Sequence, residues 1–526
     1  MIPQEADLNA ARALTEVATQ LGLQVLTEAA LDPIPAQLKG VSNAFLRANL
    51  ILPLGFDGET LRVATVLPMP WAALDALRQF TGQRELHLML GEAELIERGL
   101  ALMEARVDPD SPYAIEANDS GAPVDEDDLE SLRHQAEDAP VVRLAQFIIQ
   151  TAVERGASDV HLEIYQDVFK VRYRLDGVLQ DVESPPRRMF LPTISHLKLR
   201  ARMNIAERRL PQDGRIKLPV KDREIDMRVS TLPTVYGESM VIRILDKQES
   251  TLSLDKLGFE PDTLALFRRC ISQPHGMILV TGPTGSGKTT TLYAALMEIS
   301  RPDVKIITVE DPVEYQIHGI NQVQVKPQID LNFANALRAI VRQDPDIIMI
   351  GEIRDGETAD IAIQSALTGH LVLSTIHTND SFSAPHRLLD MGAESYLISS
   401  SLIMVLAQRL VRLICMHCRE ARPVTEADRL FLTEEGFDPA GVAHLWHGRG
   451  CAHCGHTGYS GRQSIYELLP VTDTIKSAIL RKAPSVEIRR LARAEGVRTM
   501  RQAGILKAIA GETTLDELSR VTREEY

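Results

Sequence analysis

One glycine-rich loop constrains this chain more than any other segment. It lies between the apolar run 277–280 and the helix-compatible run TTTLYAALMEI. Glycine adopts backbone angles forbidden to other residues, so consecutive N–H groups can point at one phosphate from a helix N-terminus. A lysine adds positive charge for the β and γ phosphates, and the hydroxyl of Thr289 can ligate Mg²⁺. The loop therefore predicts a nucleoside triphosphate site made of Gly282, Pro283, Thr284, Gly285, Ser286, Gly287, Lys288, Thr289 and Thr290.

Two further apolar runs end in carboxylates. KIITVEDPVE ends in Glu310, Asp311 and Glu314, and DIIMIGEIRD contains Glu352 directly after its apolar part. Phosphoryl transfer depends mainly on positioning and charge neutralisation, so acidic groups at the ends of neighbouring strands are the expected partners of the loop. We assign Glu352 to hold Mg²⁺ through a water and Glu314 to polarise the attacking water. The alternative for Glu314 is a surface carboxylate after a turn.

A third apolar strand, 371–375, is bracketed by His370 and His377. The two histidines lie at opposite ends of the strand, so they cannot both ligate one metal. We interpret His377, with Thr375 and Asn379, as a sensor of the γ-phosphate; the alternative is that both histidines are structural hydrogen-bonding groups. Strands near 277, 305, 346 and 371, separated by helical runs, predict a parallel sheet covered by helices.

A separate group of strands carries arginines. Period-two alternation predicts half-buried antiparallel strands at 171–175, 225–229 and 241–245. One face of this sheet should be strongly positive, because it collects Arg172, Arg174, Arg228, Arg243 and, from the turn QDGR, Arg215. Two interpretations are open: these arginines are solvated, or some of them contact the phosphates.

Four of the five cysteines form two CxxC pairs, Cys415 with Cys418 and Cys451 with Cys454. Two such turns can close a tetrahedral shell of four thiolates that suits Zn²⁺. No open coordination position is expected, so the zinc would be structural. Redox-active dithiols are the alternative, although such a motif would follow a strand and open a helix. Cys270 is isolated and is interpreted as a small core residue.

The charge of the chain excludes some functions. Lys and Arg number 57 against 72 Asp and Glu, a net charge of −15, and −10 of this lies between Glu104 and Asp138. This stretch predicts an extended linker. The acidic balance argues against nucleic-acid binding, apart from the locally basic stretch 197–215. With no apolar run of about 18 residues and no signal-like N-terminus, we expect neither membrane insertion nor export.

Taken together, the motifs resemble the secretion ATPases of the type II secretion and type IV pilus class. The resemblance rests on GPTGSGKTT, TVEDPVE, IMIGEIRD and TGHLVLSTIHTND, and it extends from about residue 139 to the end of the chain. Four segments favour the type II secretion branch: EDAPVVRLAQ, AERRLPQDGR, STLPTVYGES and LDKLGF. The resemblance implies a hexamer that uses ATP, with arginines delivered to the nucleotide by a PAS-like domain. The catalytic residues at matching positions are Glu314, Glu352, Arg215, Arg228, His377 and His370.

The expected fold class is α/β and multi-domain, with a RecA-like P-loop core behind a PAS-like α+β domain. The expected boundaries are an N-terminal partner-docking α/β domain at 1–104, an acidic linker at 105–138, the PAS-like arginine-bearing domain at 139–250, the ATPase core at 251–410, a zinc-binding region at 411–462 and a C-terminal helical region at 463–526.

We predict a cytoplasmic homo-hexamer that hydrolyses Mg-ATP to drive pseudopilus assembly and protein secretion. Its N-terminal domain would bind inner-membrane platform proteins and so hold the enzyme peripherally at that membrane. Three alternatives stay open: a pilus-extension ATPase of the same family, a RecA-like nucleic-acid motor, and a scaffold that binds ATP only to assemble. The paired carboxylates beside the loop argue against the scaffold.

Overall fold

The computed structural model describes residues 17–18, 20–27, 41, 43–57, 60–81, 85–105, 129–166, 168–183, 185–220, 223–245 and 253–522. Most of the predicted acidic linker, residues 106–128, lies outside these ranges. Within them, no helix combines the length and the apolar character needed to cross a bilayer.

The described N-terminal residues form a small α/β unit. Its elements are β1 Gln24–Val25, α1 Asn43–Ala48, β2 Ile51–Asp57, β3 Thr60–Thr65, α2 Trp71–Thr81, β4 Leu86–Leu90 and α3 Ala93–Ala105. The described strands lie in the order β1-β4-β3-β2. Leu46, Leu74 and Ile96 pack from the three helices into one core with the strands.

The next unit is a sheet covered by helices on one face. Its elements are α4 Leu129–Glu137, α5 Ala139–Glu154, β5 Asp159–Tyr165, β6 Val168–Leu175, β7 Val178–Glu183, α6 Phe190–Arg200, β8 Gln212–Val220, β9 Arg223–Thr234 and β10 Gly237–Leu245. As far as it is described, this sheet has the order β7-β6-β5-β10-β9-β8, with every neighbouring pair antiparallel. Helix α5 buries Val141, Leu144 and Ile148 at helical spacing against it. The opposite face is left for the arginines.

Helix α4 occupies residues that the sequence analysis assigned to the linker. Its Ala136 is fully buried, and the Ala136 carbonyl lies 2.8 Å from Nδ1 of His196 on α6. This helix was not predicted, because the many charges of the stretch are typical of a linker. The arginine-bearing unit therefore begins near residue 129 and not at 139.

The stretch 253–522 is described without a gap and contains the phosphate loop. Its first elements are α7 Pro261–Ile271, β11 Gly276–Thr281, α8 Lys288–Ile299, β12 Ile306–Glu310, β13 Asn321–Gln324, α9 Phe333–Ile340, β14 Ile347–Ile350, α10 Gly356–Leu367, β15 Leu371–Ile376, α11 Ala384–Asp390 and α12 Ser395–Ser401. The remaining elements are β16 Leu402–Ile414, β17 Arg419–Arg422, α13 Glu426–Glu434, β18 Leu445–Gly448, β19 Tyr459–Pro470, α14 Asp473–Leu480, α15 Ser485–Ala494, α16 Met500–Ala510 and α17 Leu515–Val521.

Seven strands of this stretch form the central sheet, in the order β13-β12-β14-β15-β11-β16-β19. The pairs from β13 to β16 are parallel, and only β16 with β19 is antiparallel. Apolar clusters lie on both faces, with α10 on one side and α8 on the other. The predicted α/β core with a parallel sheet is confirmed.

Two predicted boundaries cut through continuous strands. Strand β16 runs past residue 410 and ends beside Cys415, and β19 begins before residue 463. The cysteine-bearing region, with the small β17–β18 sheet and α13, is therefore an insertion between two paired strands. Sequence alone could not locate this boundary, because the apolar strand pattern continues across it.

Candidate active site and metal centre

The phosphate loop has the backbone that its glycines predict. Strand β11 ends at Thr281 and α8 begins at Lys288, with Gly285 and Gly287 at φ of +77° and +88° between them. Gly282 has φ of +148°, and a Cβ there would lie 2.5 Å from the carbonyl oxygen of Gln408. Only glycine fits these positions without strain. The loop passes directly from a buried strand to a helix N-terminus, where N–H groups attract anions.

Lys288 lies inside this loop. Its Nζ donates to the carbonyl of Gly282 at 2.7 Å and to that of Pro283 at 3.1 Å. Burial lowers the pKa of Lys288, the nearby Glu352 carboxylate opposes that shift, and the Arg409 guanidinium adds to it. The ammonium is thus held by loop carbonyls and poorly hydrated, so an incoming phosphate gains an already desolvated partner.

Strand β16 supports the loop from the side. Gln408 donates from Nε2 to the carbonyl of Ser286 at 2.7 Å. Among the described atoms, the buried Ser286 hydroxyl and the Gln408 Oε1 have no hydrogen-bond partner. Arg409 donates to the backbone carbonyl and the Oδ1 of Asn379 at 3.1 and 3.3 Å. Neither β16 residue was predicted from the sequence, although adjacent polar residues inside the strand LIMVLAQRLVRLI were a usable signal.

Glu352 and His377 meet at the ends of adjacent strands. His377 Nε2 lies 3.2 Å from Glu352 Oε2, and Arg354 pairs with the other carboxylate oxygen. Burial raises the pKa of Glu352, but the hydrogen bonds and charges of Arg354 and His377 outweigh it and hold that pKa below the ordinary value. The carboxylate therefore stays ionised beside the phosphate loop, as a group that holds Mg²⁺ through water must.

Three arginines stand in one row on the sheet of the preceding unit. Register pairs Arg215 with Arg228 and Arg228 with Arg243, so their side chains share the face away from the helices. This row and Asp311 line a cleft of about 800 Å³ between the sheet and the core. Arg228 donates to Glu314 Oε2 at 3.2 Å across the cleft. The structure thus places both predicted catalytic arginines in the cleft, and Glu314 in contact with one of them.

His370 does not join this group. It precedes β15, whereas the phosphate loop follows the carboxyl end of the parallel strand β11. Its Nδ1 lies 2.9 Å from the carbonyl oxygen of Ser365, within the turn between α10 and β15. The structure therefore places His370 away from the other predicted catalytic residues, at the opposite end of β15 from His377. A strand of six residues places its two flanking histidines at opposite edges of the sheet.

Glu310, the last residue of β12, is a structural group. It is 3% exposed and accepts hydrogen bonds from Tyr293, from Thr308 Oγ1 at 2.5 Å and from Gln322 Nε2 at 3.1 Å. Burial, together with this carboxylate, raises the pKa of the Tyr293 phenol, which stays a donor. The network fixes the end of β12 against α8, and so it fixes the start of the segment that carries Glu314.

The four paired cysteines converge. Their Sγ atoms all lie within 4.8 Å of one another, with Cys415–Cys451 and Cys418–Cys454 at 3.9 Å and Cys451–Cys454 at 3.8 Å. Zn–S bonds of about 2.3 Å in a tetrahedron require S–S separations of about 3.8 Å, so the cluster fits Zn²⁺. N–H groups of Gly450 and Gly458 point at the sulfurs at 3.3 Å, as thiolates favour.

The sequence matches two families. Residues 134–520 match the family described as Type II/IV secretion system protein, and residues 21–109 match the MshEN domain. Among curated relatives, "Type II secretion system protein E" of Xanthomonas campestris pv. campestris is 49% identical, with 96% of this chain and 89% of the relative covered. "Type IV pilus assembly ATPase PilB" of Myxococcus xanthus is 41% identical, with 95% and 89% covered.

A solved structure shares the fold. The ATPase DotB of Yersinia pseudotuberculosis aligns with a TM-score of 0.53 at 20% identity, over 72% of this chain and 93% of that one. At this identity the likeness concerns the fold alone.

Proposed function

The chain belongs to the Type II/IV secretion system protein family and is a P-loop ATPase, and we propose its function from that premise. In our proposal it works in the cytoplasm as a homo-hexamer that hydrolyses Mg-ATP to drive pseudopilus assembly and protein secretion. The observation that carries the proposal is the arrangement around the loop. Lys288 lies in the loop, Glu352 with His377 closes one side, and the arginine row faces the core across the cleft.

The loop residues 282–290 bind the triphosphate. Their N–H groups and the Lys288 ammonium neutralise the β and γ phosphates. Thr289, whose side chain is exposed at the start of α8, and Glu352, through a water, would hold Mg²⁺, which when bound draws charge from the phosphate oxygens. His377, held on Glu352, is placed to sense the γ-phosphate.

Glu314 and Arg228 change partners when the cleft closes. Their side chains are 37% and 26% exposed, so the pair contributes at most about 1 kcal/mol and can be exchanged. Arg228 also has a buried Nε with no partner among the described atoms. On closure, Arg228 and Arg215 move to the charge that builds on the phosphoryl group, and Glu314 is released to polarise the attacking water.

Phosphate release from the purified chain tests this proposal. Lys288→Ala and Glu352→Gln should each reduce kcat by about 100-fold or more while the fold persists, because Lys288 neutralises phosphate charge and Glu352 holds the Mg²⁺ that does so. Glu357→Gln is the matched control, since this carboxylate pairs with Arg338 on the exposed side of α10. Full activity in both site variants would contradict the assignment.

The tetracysteine cluster is proposed to hold a structural zinc, since all four positions of a tetrahedron are supplied by protein sulfurs. The N-terminal unit is proposed to bind inner-membrane platform proteins of the secretion system and so keep the enzyme at the membrane surface.

Pilus extension is the second candidate, because relatives named for either system cover the chain to a similar extent. The membrane protein captured by the N-terminal unit distinguishes the two. Phosphate release and oligomer size should then both rise when a cytoplasmic fragment of that protein and acidic lipid are added.

A further inference from the structure

A buried carboxylate lies two strands away from the phosphate loop. Glu467 is 3% exposed on β19. In the sheet register it stands beside Ala407 of β16, and Ala407 stands beside Thr281, the residue that precedes the loop. No step of the proposed hydrolysis uses Glu467. Such a burial is costly unless the carboxylate has hydrogen-bond donors.

Glu467 joins two segments that are far apart in the chain. Its Oε1 accepts from the backbone N–H of Ser381 at 2.8 Å and from the Ser381 hydroxyl at 2.7 Å. Its Oε2 accepts from the backbone N–H of Met500 at 3.1 Å. Met500 opens α16, and a helix N-terminus favours a negative charge. One side chain thus ties α16 to the segment that follows β15.

That segment, residues 377–383, is called the post-β15 loop below. Its first half contacts residues around the phosphate loop: His377 Nε2 lies 3.2 Å from Glu352 Oε2, and the carbonyl of Asn379 accepts a hydrogen bond from Arg409. The N–H of Thr378 donates to the hydroxyl of Thr281 at 2.8 Å, at the base of the phosphate loop. A shift of this half therefore changes the groups that face the γ-phosphate.

The second half of the post-β15 loop is held by the C-terminal helices. Asp380 accepts from Arg489 of α15 at 2.8 Å and also caps the N–H of Ser383 at 2.8 Å. Ser381 is held by Glu467, and through it by α16. The loop thus has one half at the nucleotide site and the other half on the C-terminal helices.

We propose that Glu467 is a positioning residue for ATP hydrolysis. It holds the post-β15 loop so that His377 and Asn379 keep their positions. Hydrolysis thereby depends on the docking of α16. This inference rests on the proposed ATPase activity. Glu467 contacts neither the phosphate loop nor the attacking group. It therefore affects turnover through the post-β15 loop and leaves nucleotide binding unchanged.

Glu467→Gln is the first test. The variant keeps the volume, but its amide NH₂ must face a backbone N–H donor on one side, so either Ser381 or Met500 loses its acceptor. We expect kcat to fall by about 10- to 100-fold, as for a small displacement of groups around a reacting centre. The dissociation constant of a fluorescent ADP analogue should stay within about twofold, because the phosphate loop itself is unchanged.

Glu517→Gln is the matched control. Glu517 on α17 is also buried, 1% exposed, and joins α17 to β16 by accepting from Arg412, while Arg520 of the same helix also donates to it. It does not contact the post-β15 loop. We expect this variant to lower the melting temperature while kcat stays within about twofold of the wild type.

A second variant keeps the test open if Glu467→Gln does not fold. Ser381→Ala removes only the hydroxyl bond, and it should lower kcat in the same direction but less. The double variant should show less than the sum of the two effects, since both act on one contact. Wild-type kcat in Ser381→Ala and in folded Glu467→Gln would overturn the inference. A wild-type chain without phosphate release would instead overturn the ATPase proposal.

Discussion

The Arg228–Glu314 pair joins the arginine-bearing sheet to the core. It lies in the cleft, between the arginine row and the end of the β12 segment. Sequence motifs predicted the phosphate-loop residues and the four paired cysteines, because the members of the loop, and of each CxxC pair, are close together in the chain. No motif contains Glu467, because its partner Ser381 follows a different strand and lies 86 residues away in the chain.

Arg228→Ala is predicted to reduce kcat by about 100-fold, because the variant lacks the guanidinium that stabilises the negative charge developing on the transferred phosphoryl group. Binding of ADP should change little. Arg172→Ala is the control: Arg172 lies on the same face of the same sheet but pairs with Glu163, away from the cleft. Steady-state phosphate release of the two variants gives the comparison, and equal kcat values would remove Arg228 from the mechanism.

At the scale of elements, periodicity predicted the central strands well and the short charged helix α4 badly. Apolar runs before Gly282, Asp311 and Gly351 became β11, β12 and β14, because buried parallel strands require apolar residues on both faces. Helix α4 lies in a stretch rich in charged residues, which is typical of a linker. Tertiary contact, at Ala136 and His196, decides its structure.

Helix α13 in the cysteine-bearing region provides an element-level prediction. Thr425 and Asp428 form a capping box at its N-terminus, and Arg422 donates a hydrogen bond to the Asp428 carboxylate at 2.6 Å. Asp428→Ala should destabilise the helix by about 1–3 kcal/mol at pH 7, seen as faster amide exchange in residues 426–434. Glu426→Ala, which changes an exposed first-turn carboxylate, should cost less than about 0.5 kcal/mol.

The same cap has a defined pH dependence. The Arg422 hydrogen bonds hold the pKa of Asp428 at about 2, below the ordinary aspartate value of about 3.9. The folded-state pKa is depressed, so the stabilisation is complete above about pH 4 and is lost as the pH falls toward 2. Amide exchange gives the free energy of local opening once the rates are corrected for the intrinsic effect of pH. The difference in this free energy between wild type and Asp428→Ala should be constant from pH 5 to 7, and a decline within that range would contradict the assignment.

At the scale of the whole molecule, the fold class and the order of units were predictable from the sequence, whereas their limits were not. The zinc-binding region was placed at 411–462, but it is inserted between β16 and β19, which pair with each other along most of their length. Pairing between strands this distant in sequence leaves no local pattern.

Removal of zinc is predicted to affect the insertion and to spare nucleotide binding. Cys418→Ser should lower the bound metal from about one Zn²⁺ per chain to almost none, because a tetrahedral site loses a ligand. Amide exchange should rise in residues 415–458, and ADP binding should persist. Cys270→Ala, which changes the buried cysteine of α7, should retain the metal. Unchanged zinc content in Cys418→Ser would argue against the tetracysteine site.

Strand β16 has a mechanical consequence. Its first residues pair with β11 beneath the phosphate loop, its length is shared with β19, and its last residue, Ile414, adjoins the first cysteine of the cluster. A hydrogen-bonded ribbon of about 40 Å resists bending, so core and insertion must travel as one stiff body. We therefore expect any movement powered by ATP to displace the arginine-bearing sheet relative to the core and the insertion together.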